Sequence, residues 1–211
     1  MAGKVLAVVA VVIAALVAVP LQMGKHVFDP KVLKEIAKDS IYHGGLNSTS
    51  VVHRVIQGVK ERYPDYIETS TPWVFNNAGG AMGSMIILHA SLSEYVIIFG
   101  SAIGTEGHTG RFLADDWFTI LVGEQWAYKP DSLQKEVYKP GDQHHLKFGE
   151  TKGYRMPDTC WALEYARGNI VSMMPFGLQD TFFSTLDFPT LWDTIYYTAK
   201  YMGKHLLMSK I

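Results

Sequence analysis

Hydrophobic and polar positions change rhythm three times along the chain, and each rhythm predicts a different kind of element. From Val5 to Leu21 the run VLAVVAVVIAALVAVPL is apolar and uncharged for 17 residues, close to the shortest stretch that spans a hydrocarbon core. It predicts a transmembrane helix. A cleaved signal peptide fits less well, because the run exceeds a usual signal core and Pro20, Leu21 and Gln22 make a poor cleavage site. Only Lys4 precedes the run, whereas Lys25, Lys31, Lys34 and Lys38 follow it, so the positive-inside tendency puts the carboxyl-terminal part in the cytosol. On that topology the sequon Asn47-Ser48-Thr49 stays unused.

Beyond the anchor, Val32, Ile36, Ile41, Val51, Val55 and Val59 recur at helical spacing. Asp29 as cap and Pro30 at the first helical position predict a helix to about Ser40. Gly44-Gly45 breaks the pattern, and Ser48 or Ser50 is placed to cap a second helix that ends near Tyr63-Pro64. From Trp73 to about Ile170 the pattern shortens to runs rich in β-branched and aromatic residues and punctuated by glycine: MIILHA, EYVIIFG, FTILVG, KEVYKPG, HHLKFGE and WALEYARG. These predict short strands of an antiparallel barrel or sandwich. Helical spacing returns from Pro175, in two segments divided at Phe188-Pro189. Leu191, Ile195, Tyr196, Ala199, Met202, Leu206 and Leu207 form a broad apolar face on the second, suited to a core or to a bilayer surface. The chain therefore divides into an anchor (1–24), a helical connector (25–72), a strand region (73–172) and a helical tail (173–211), an α+β organisation.

Composition narrows the function. A net charge of −1 over 211 residues leaves no footprint for a phosphate backbone, which argues against nucleic acid. Cys160 is the only cysteine, so neither an intrachain disulfide nor a CxxC or cysteine-based zinc site can form. No GxGxxG or GxxxxGK[ST] occurs, and a nucleotide cofactor is not expected. Ser91 and Ser93 lack the GxSxG elbow of a hydrolase.

Candidate chemistry rests on carboxylates inside apolar strands. Burying a charge costs several kcal/mol unless it is paired or protonated, so Glu94 and Glu164 each need an explanation. Glu94 reads as solvent-facing or held in a structural hydrogen-bond network, and Glu164 either as an ion pair with Arg167 or as an inward acid. Of Asp115 and Asp116, adjacent on one strand, one points inward and the other outward. An inward pair near Glu164 would share a proton and have separated pKa values, as a general acid near neutral pH requires. His144 and His145, also adjacent, point to opposite faces and cannot readily ligate one ion. A mixed metal site with His108 and Glu150 is a weak alternative, and His89 reads as a core histidine.

The stretch WVFNNAGGAMGSMIILHASLSEYVIIFGSAIGTEGHTGRFLADDWFTILVGEQW, Trp73 to Trp126, resembles the family of the fungal C-8 sterol isomerases and the sigma non-opioid intracellular receptors. Further matches are EVYKPGDQHHLKFG (Glu136 to Gly149), WALEYARG (Trp161 to Gly168) and MPFGLQDTFFSTLDFPTLW (Met174 to Trp192). Within the family ADDWFTIL (Ala114 to Leu121) looks like the isomerase version, since the receptors carry an aspartate where Phe118 stands here. The resemblance implies a single amino-terminal membrane helix, a cupin-like β-barrel around an occluded cavity, carboxyl-terminal helices against the membrane, a homotrimer and an endoplasmic-reticulum location. It further implies a sterol substrate, susceptibility to amphiphilic amines, and no metal or cofactor. The family's cavity carboxylate falls on Glu164 and its acidic neighbour on Asp115 or, as second choice, Asp116. Cavity walls fall on Met85, Ile87, Tyr95, Ile97, Phe99, Phe112 and Ile170. The activity implied is movement of a sterol double bond from carbon 8 to carbon 7 in ergosterol biosynthesis; because such a substrate resides in the bilayer, a lateral entrance between the tail helices would suit it, though the sequence does not fix the route. A receptor-like chaperone and a carrier without chemistry are the competing readings.

Overall fold

The computed structural model describes residues 26–209. The expected anchor therefore lies outside the described residues, among which no helix is long and apolar enough to cross a membrane. Helix α1 (Pro30–Gly44) starts as its sequence demands, with the Asp29 carboxylate accepting from the Lys31 amide at 2.8 Å and Pro30 in the first turn. It runs past Ser40, which is buried in the packed face, and stops where Gly45 takes φ 62°. Helix α2 (Ser48–Arg62) is capped by Asn47, whose side chain accepts from the Ser50 amide at 3.0 Å, in place of the serines expected there. The cap thus falls one position before Ser48, on a residue type that caps as well as serine.

Ten strands follow: β1 (Val74–Ala78), β2 (Ala81–Ala90), β3 (Glu94–Ser101), β4 (Thr105–His108), β5 (Ala114–Val122), β6 (Gln125–Tyr128), β7 (Glu136–Tyr138), β8 (Gln143–Leu146), β9 (Gly153–Met156) and β10 (Cys160–Gly168). They form two antiparallel sheets, β1-β2-β3-β10-β5-β8 and β4-β9-β6-β7, so of the barrel or sandwich expected the strands build a two-sheet sandwich. The tail holds a 3₁₀ turn (Ile170–Met173), helix α3 (Met174–Asp180), a π turn (Thr181–Thr185) and helix α4 (Phe188–Leu207). Leu186, at φ 55°, and the Asp187 cap separate α3 from α4.

Both faces of the six-stranded sheet are buried, which explains why its strands read as nearly continuous apolar runs. Alternation assigns each residue a layer. Ile86, Leu88, Val96, Ile98, Trp117, Leu163 and Tyr165 pack under Leu33, Ala37, Val51, Val55 and Val59 of α1 and α2. Fully burying each such aliphatic side chain contributes about 1.5–3 kcal/mol. The residues between them, including Met85, Ile87, Phe99, Ile120 and Ala162, face inward with Ile170, Tyr201 and Met202 of the tail. A register shift between Ile87 and His89 interrupts this period and turns His89 to the helical layer, where its Nδ1–H donates to the Tyr66 carbonyl at 2.9 Å. His89 is thus the buried core histidine expected.

Candidate functional site

The inner face of the large sheet, the second sheet and the tail helices enclose a cavity of about 210 Å³. One water needs only about 10–15 Å³, so the space is large enough to hold a ligand. Its wall contains Met85, Ile87, Tyr95, Ile97, Phe99, Phe112 and Ile170, the seven residues expected there, and also Glu164 and Asp116.

Register explains why these two carboxyls meet. Glu164 on β10 lies opposite Phe118 on β5, and Asp116 is two residues along the same inward face. Such diagonal neighbours sit roughly 7–8 Å apart, within reach of each other's carboxyl groups. Burial pushes the Glu164 carboxyl up to about 7, against a lowering influence from Tyr95, whose hydroxyl donates to it. Burial, and then the charge of Glu164, raise Asp116 well above the ordinary carboxylate range. Both shifts keep protons on this pair of carboxyls near neutral pH, in an apolar chamber.

Asp115 does not belong to this pair. Alternation puts it on the outer face, where His145 Nε2–H lies 2.8 Å from its carboxylate and the His145 ring stacks on Trp117 at 4.4 Å. The expectation that Asp115 partners Glu164 is therefore corrected to Asp116. Nor does Glu164 pair with Arg167: three residues apart on a strand they face opposite ways, and the Arg167 guanidinium lies over Trp117 at 4.7 Å. Glu94 is fully buried on the helical side, accepting from the Val27 amide at 2.9 Å, the Phe28 amide at 3.2 Å and the Tyr165 hydroxyl at 2.6 Å. It is a structural carboxylate, not a solvent-facing one. His108 reaches the cavity wall and accepts from the Gly110 amide through Nδ1 at 2.9 Å, while Glu150 pairs with Lys129 near the surface. Among the described residues no group of three or more His, Cys, Asp or Glu side chains is placed to hold a metal ion.

Gln125, Leu146 and Tyr154 on the wall were not singled out from the sequence, while His144 was weighed only as a metal ligand and Met202 only as part of the apolar face of the tail. Phe118 was noted only as an aromatic where the receptors carry an aspartate. The period that carries Asp116 inward carries Phe118 inward too, and one of the adjacent His144 and His145 had to face in. Tyr154 left no comparable signal, because β9 is four residues long with little alternation.

The family described as "ERG2 and Sigma1 receptor like protein" matches residues 4–210. The C-8 sterol isomerase of Pyricularia oryzae is 52% identical over 88% of this chain and 85% of its own length. The C-8 sterol isomerase ERG2 of Gibberella zeae is 50% identical over 88% and 79%. Sigma non-opioid intracellular receptor 1 of Xenopus tropicalis is 40% identical over 87% and 80%. Among solved structures, a cupin superfamily protein of Desulfitobacterium hafniense aligns with 39% of this chain and 74% of its own at 19% identity and a TM-score of 0.36. With a family match across almost its whole length and isomerases at half identity, the chain belongs to the ERG2 and Sigma1 receptor-like family.

Proposed function

We propose that this chain is a C-8 sterol isomerase of ergosterol biosynthesis, moving the ring-B double bond from carbon 8 to carbon 7. The observation that carries the reading is the buried Glu164–Asp116 pair in an apolar chamber, in a chain that resembles fungal isomerases more than sigma receptors. Protonation at carbon 9 turns the alkene into a tertiary cation at carbon 8, and loss of a proton from carbon 7 re-forms a double bond. The step is redox-neutral, and it needs one group that gives a proton and one that takes it. In this reading one carboxyl of the Glu164–Asp116 pair is the donor, and the other, ionised, stabilises the cation. The pair titrates as a unit, so the proton taken from carbon 7 returns to it. Aromatic faces of Tyr95, Phe99, Phe112 and Phe118 line the same chamber and favour the cation further. Amphiphilic amines, whose ammonium imitates that cation, are the expected inhibitors.

The cellular setting in this reading is the endoplasmic-reticulum membrane, with residues 1–24 as a single anchor, the sandwich in the cytosol and a homotrimeric assembly. Support for a membrane-facing tail comes from Phe182, Phe183, Leu186, Phe188 and Trp192, all exposed apolar side chains around the α3–α4 junction. The test is sterol composition, measured by mass spectrometry in cells lacking their own C-8 isomerase. Cells given this chain should lose Δ8-sterols, and cells given Glu164→Gln should keep them. Retention of Δ8-sterols with well-expressed native chain would favour the receptor-like reading instead.

A further inference from the structure

Besides the carboxyl pair, the wall of the cavity carries a second buried polar pole two strands away. Glu164, Phe118 and His144 face one another across β10, β5 and β8 in a single row. At about 4.8 Å per strand, His144 lies roughly 10 Å from Glu164 between backbones. Gln125, on the opposing sheet, is in register with Tyr138, and the Tyr138 ring stacks on His144 at 4.7 Å. Both Gln125 and His144 are 3% exposed, both line the cavity, and Gln125 Oε1 and His144 Nε2 have no hydrogen-bond partner. Two polar groups of this region point elsewhere: the Tyr138 hydroxyl and Lys152 Nζ both donate to Glu136, at 2.6 and 2.5 Å. Buried polar atoms without partners are uncommon in folded proteins, and two that face one cavity mark a place where a bound polar group would be held.

We propose that Gln125 and His144 form the seat for the hydroxyl group of the sterol substrate. The inference rests on the isomerase reading and deepens it. An amide oxygen only accepts, whereas an imidazole Nε2–H donates; a hydroxyl does both, and one hydroxyl satisfies the two atoms together. Burial, then the Lys152 charge, hold His144 down at about 4, so the ring is neutral and one of its nitrogens carries a proton to give. The order of strands supplies the direction. Helices α3 and α4 close the cavity at the β1–β2 side, Glu164 stands on β10 in the middle, and His144 is on β8 at the far edge. A sterol entering hydroxyl-first would bring ring A to Gln125 and His144 and the ring-B alkene to Glu164. Its alkyl tail would then lie by Thr194, Thr198 and Met202.

The experiment compares kcat/KM of the full chain, in membranes, for a Δ8-sterol and for its 3-deoxy and 3-methyl-ether analogues. The native chain should prefer the hydroxysterol by at least about tenfold, because either analogue leaves buried polar atoms unpaired. Gln125→Met and His144→Phe, close in volume, should each reduce that preference severalfold, while His144→Gln, which keeps a hydrogen-bonding end, should retain most of it. A general structural defect would slow all substrates alike and leave the ratio intact. If His144→Phe fails to fold, the Gln125→Met ratio decides. Equal turnover of the hydroxysterol and its analogues by the native chain, or an undiminished preference in a folded variant, overturns the seat while leaving the isomerase standing. No turnover of any sterol by the native chain overturns both.

Discussion

At the scale of single residues, the site depends on where a proton rests. Glu164→Gln keeps the volume and removes the acid, so kcat should fall by about 10²–10⁴-fold with a much smaller change in KM. The pH dependence has a definite sign. The folded state holds the Glu164 proton up to about 7, whereas an unfolded carboxyl releases it near 4.5, so this group makes the fold less stable as pH rises through that window. Replacing it by glutamine should therefore stabilise the protein above pH 7, by on the order of 1–3 kcal/mol, readable as a raised thermal midpoint at pH 8 and little change at pH 4. Activity should decline at alkaline pH as the pair gives up its last proton. Tyr95→Phe removes the hydroxyl that donates to Glu164 and lowers its pKa. That variant should move the alkaline limb of the rate profile upward, and an unmoved limb would show that Tyr95 does not hold the acid.

At the scale of elements, Glu94 ties the segment leading to α1 onto β3 and β10. Glu94→Ala would strand two backbone amides in a buried layer and leave the Tyr165 hydroxyl only the Phe28 carbonyl, so a loss of about 3 kcal/mol is expected in chemical denaturation, with the cavity carboxyls untouched. This carboxylate also illustrates what a sequence can disclose. Its position within EYVIIF announces a buried charge but not its partners, which come from residues 66 and 67 positions away and from across the sheet. Local signals served well wherever the cause is local: the Asp29-Pro30 start of α1, the glycine break after it, the tail division near Phe188-Pro189, and the strand texture from Trp73 onward. Glu164 and the seven wall residues were legible through the resemblance, and strict alternation says that Asp115 and Asp116 point opposite ways. It does not say which of them points in, because that is set by pairing Asp116 with Ala166 across β5 and β10. Whether ten strands close into one barrel or stack as two sheets is likewise a matter of long-range pairing. His89 escaped simple alternation for a third reason, the extra residue in β2 that reverses its side.

At the scale of the whole molecule, the tail is attached firmly at one end and loosely at the other. The second half of α4 is pinned, with Tyr201 hydroxyl and Thr71 Oγ1 at 2.6 Å, the latter donating to the Ile87 carbonyl, and with His205 Nδ1–H on the Ala90 carbonyl at 2.9 Å. The first half, α3 and the π turn between them expose Phe182, Phe183, Phe188 and Trp192, and Phe183 is 89% exposed. A π turn followed by Leu186 in the left-handed region is where such a pair of helices can change its angle without disturbing the sandwich. Gly177 of α3 and Thr194 of α4 both reach the cavity wall, so parting these two helices opens the chamber towards the apolar surface where a membrane-borne sterol would wait. Cysteines placed at those two positions and bridged by a short bifunctional thiol reagent should slow turnover at least about tenfold, if access is gated by this motion. Cleavage of the bridge should restore the rate, and the buried Cys160 keeps native thiol chemistry from interfering. Full bridging with an unchanged rate would instead mean that substrate enters past the second sheet, and the exposed apolar residues of the tail would then serve attachment alone.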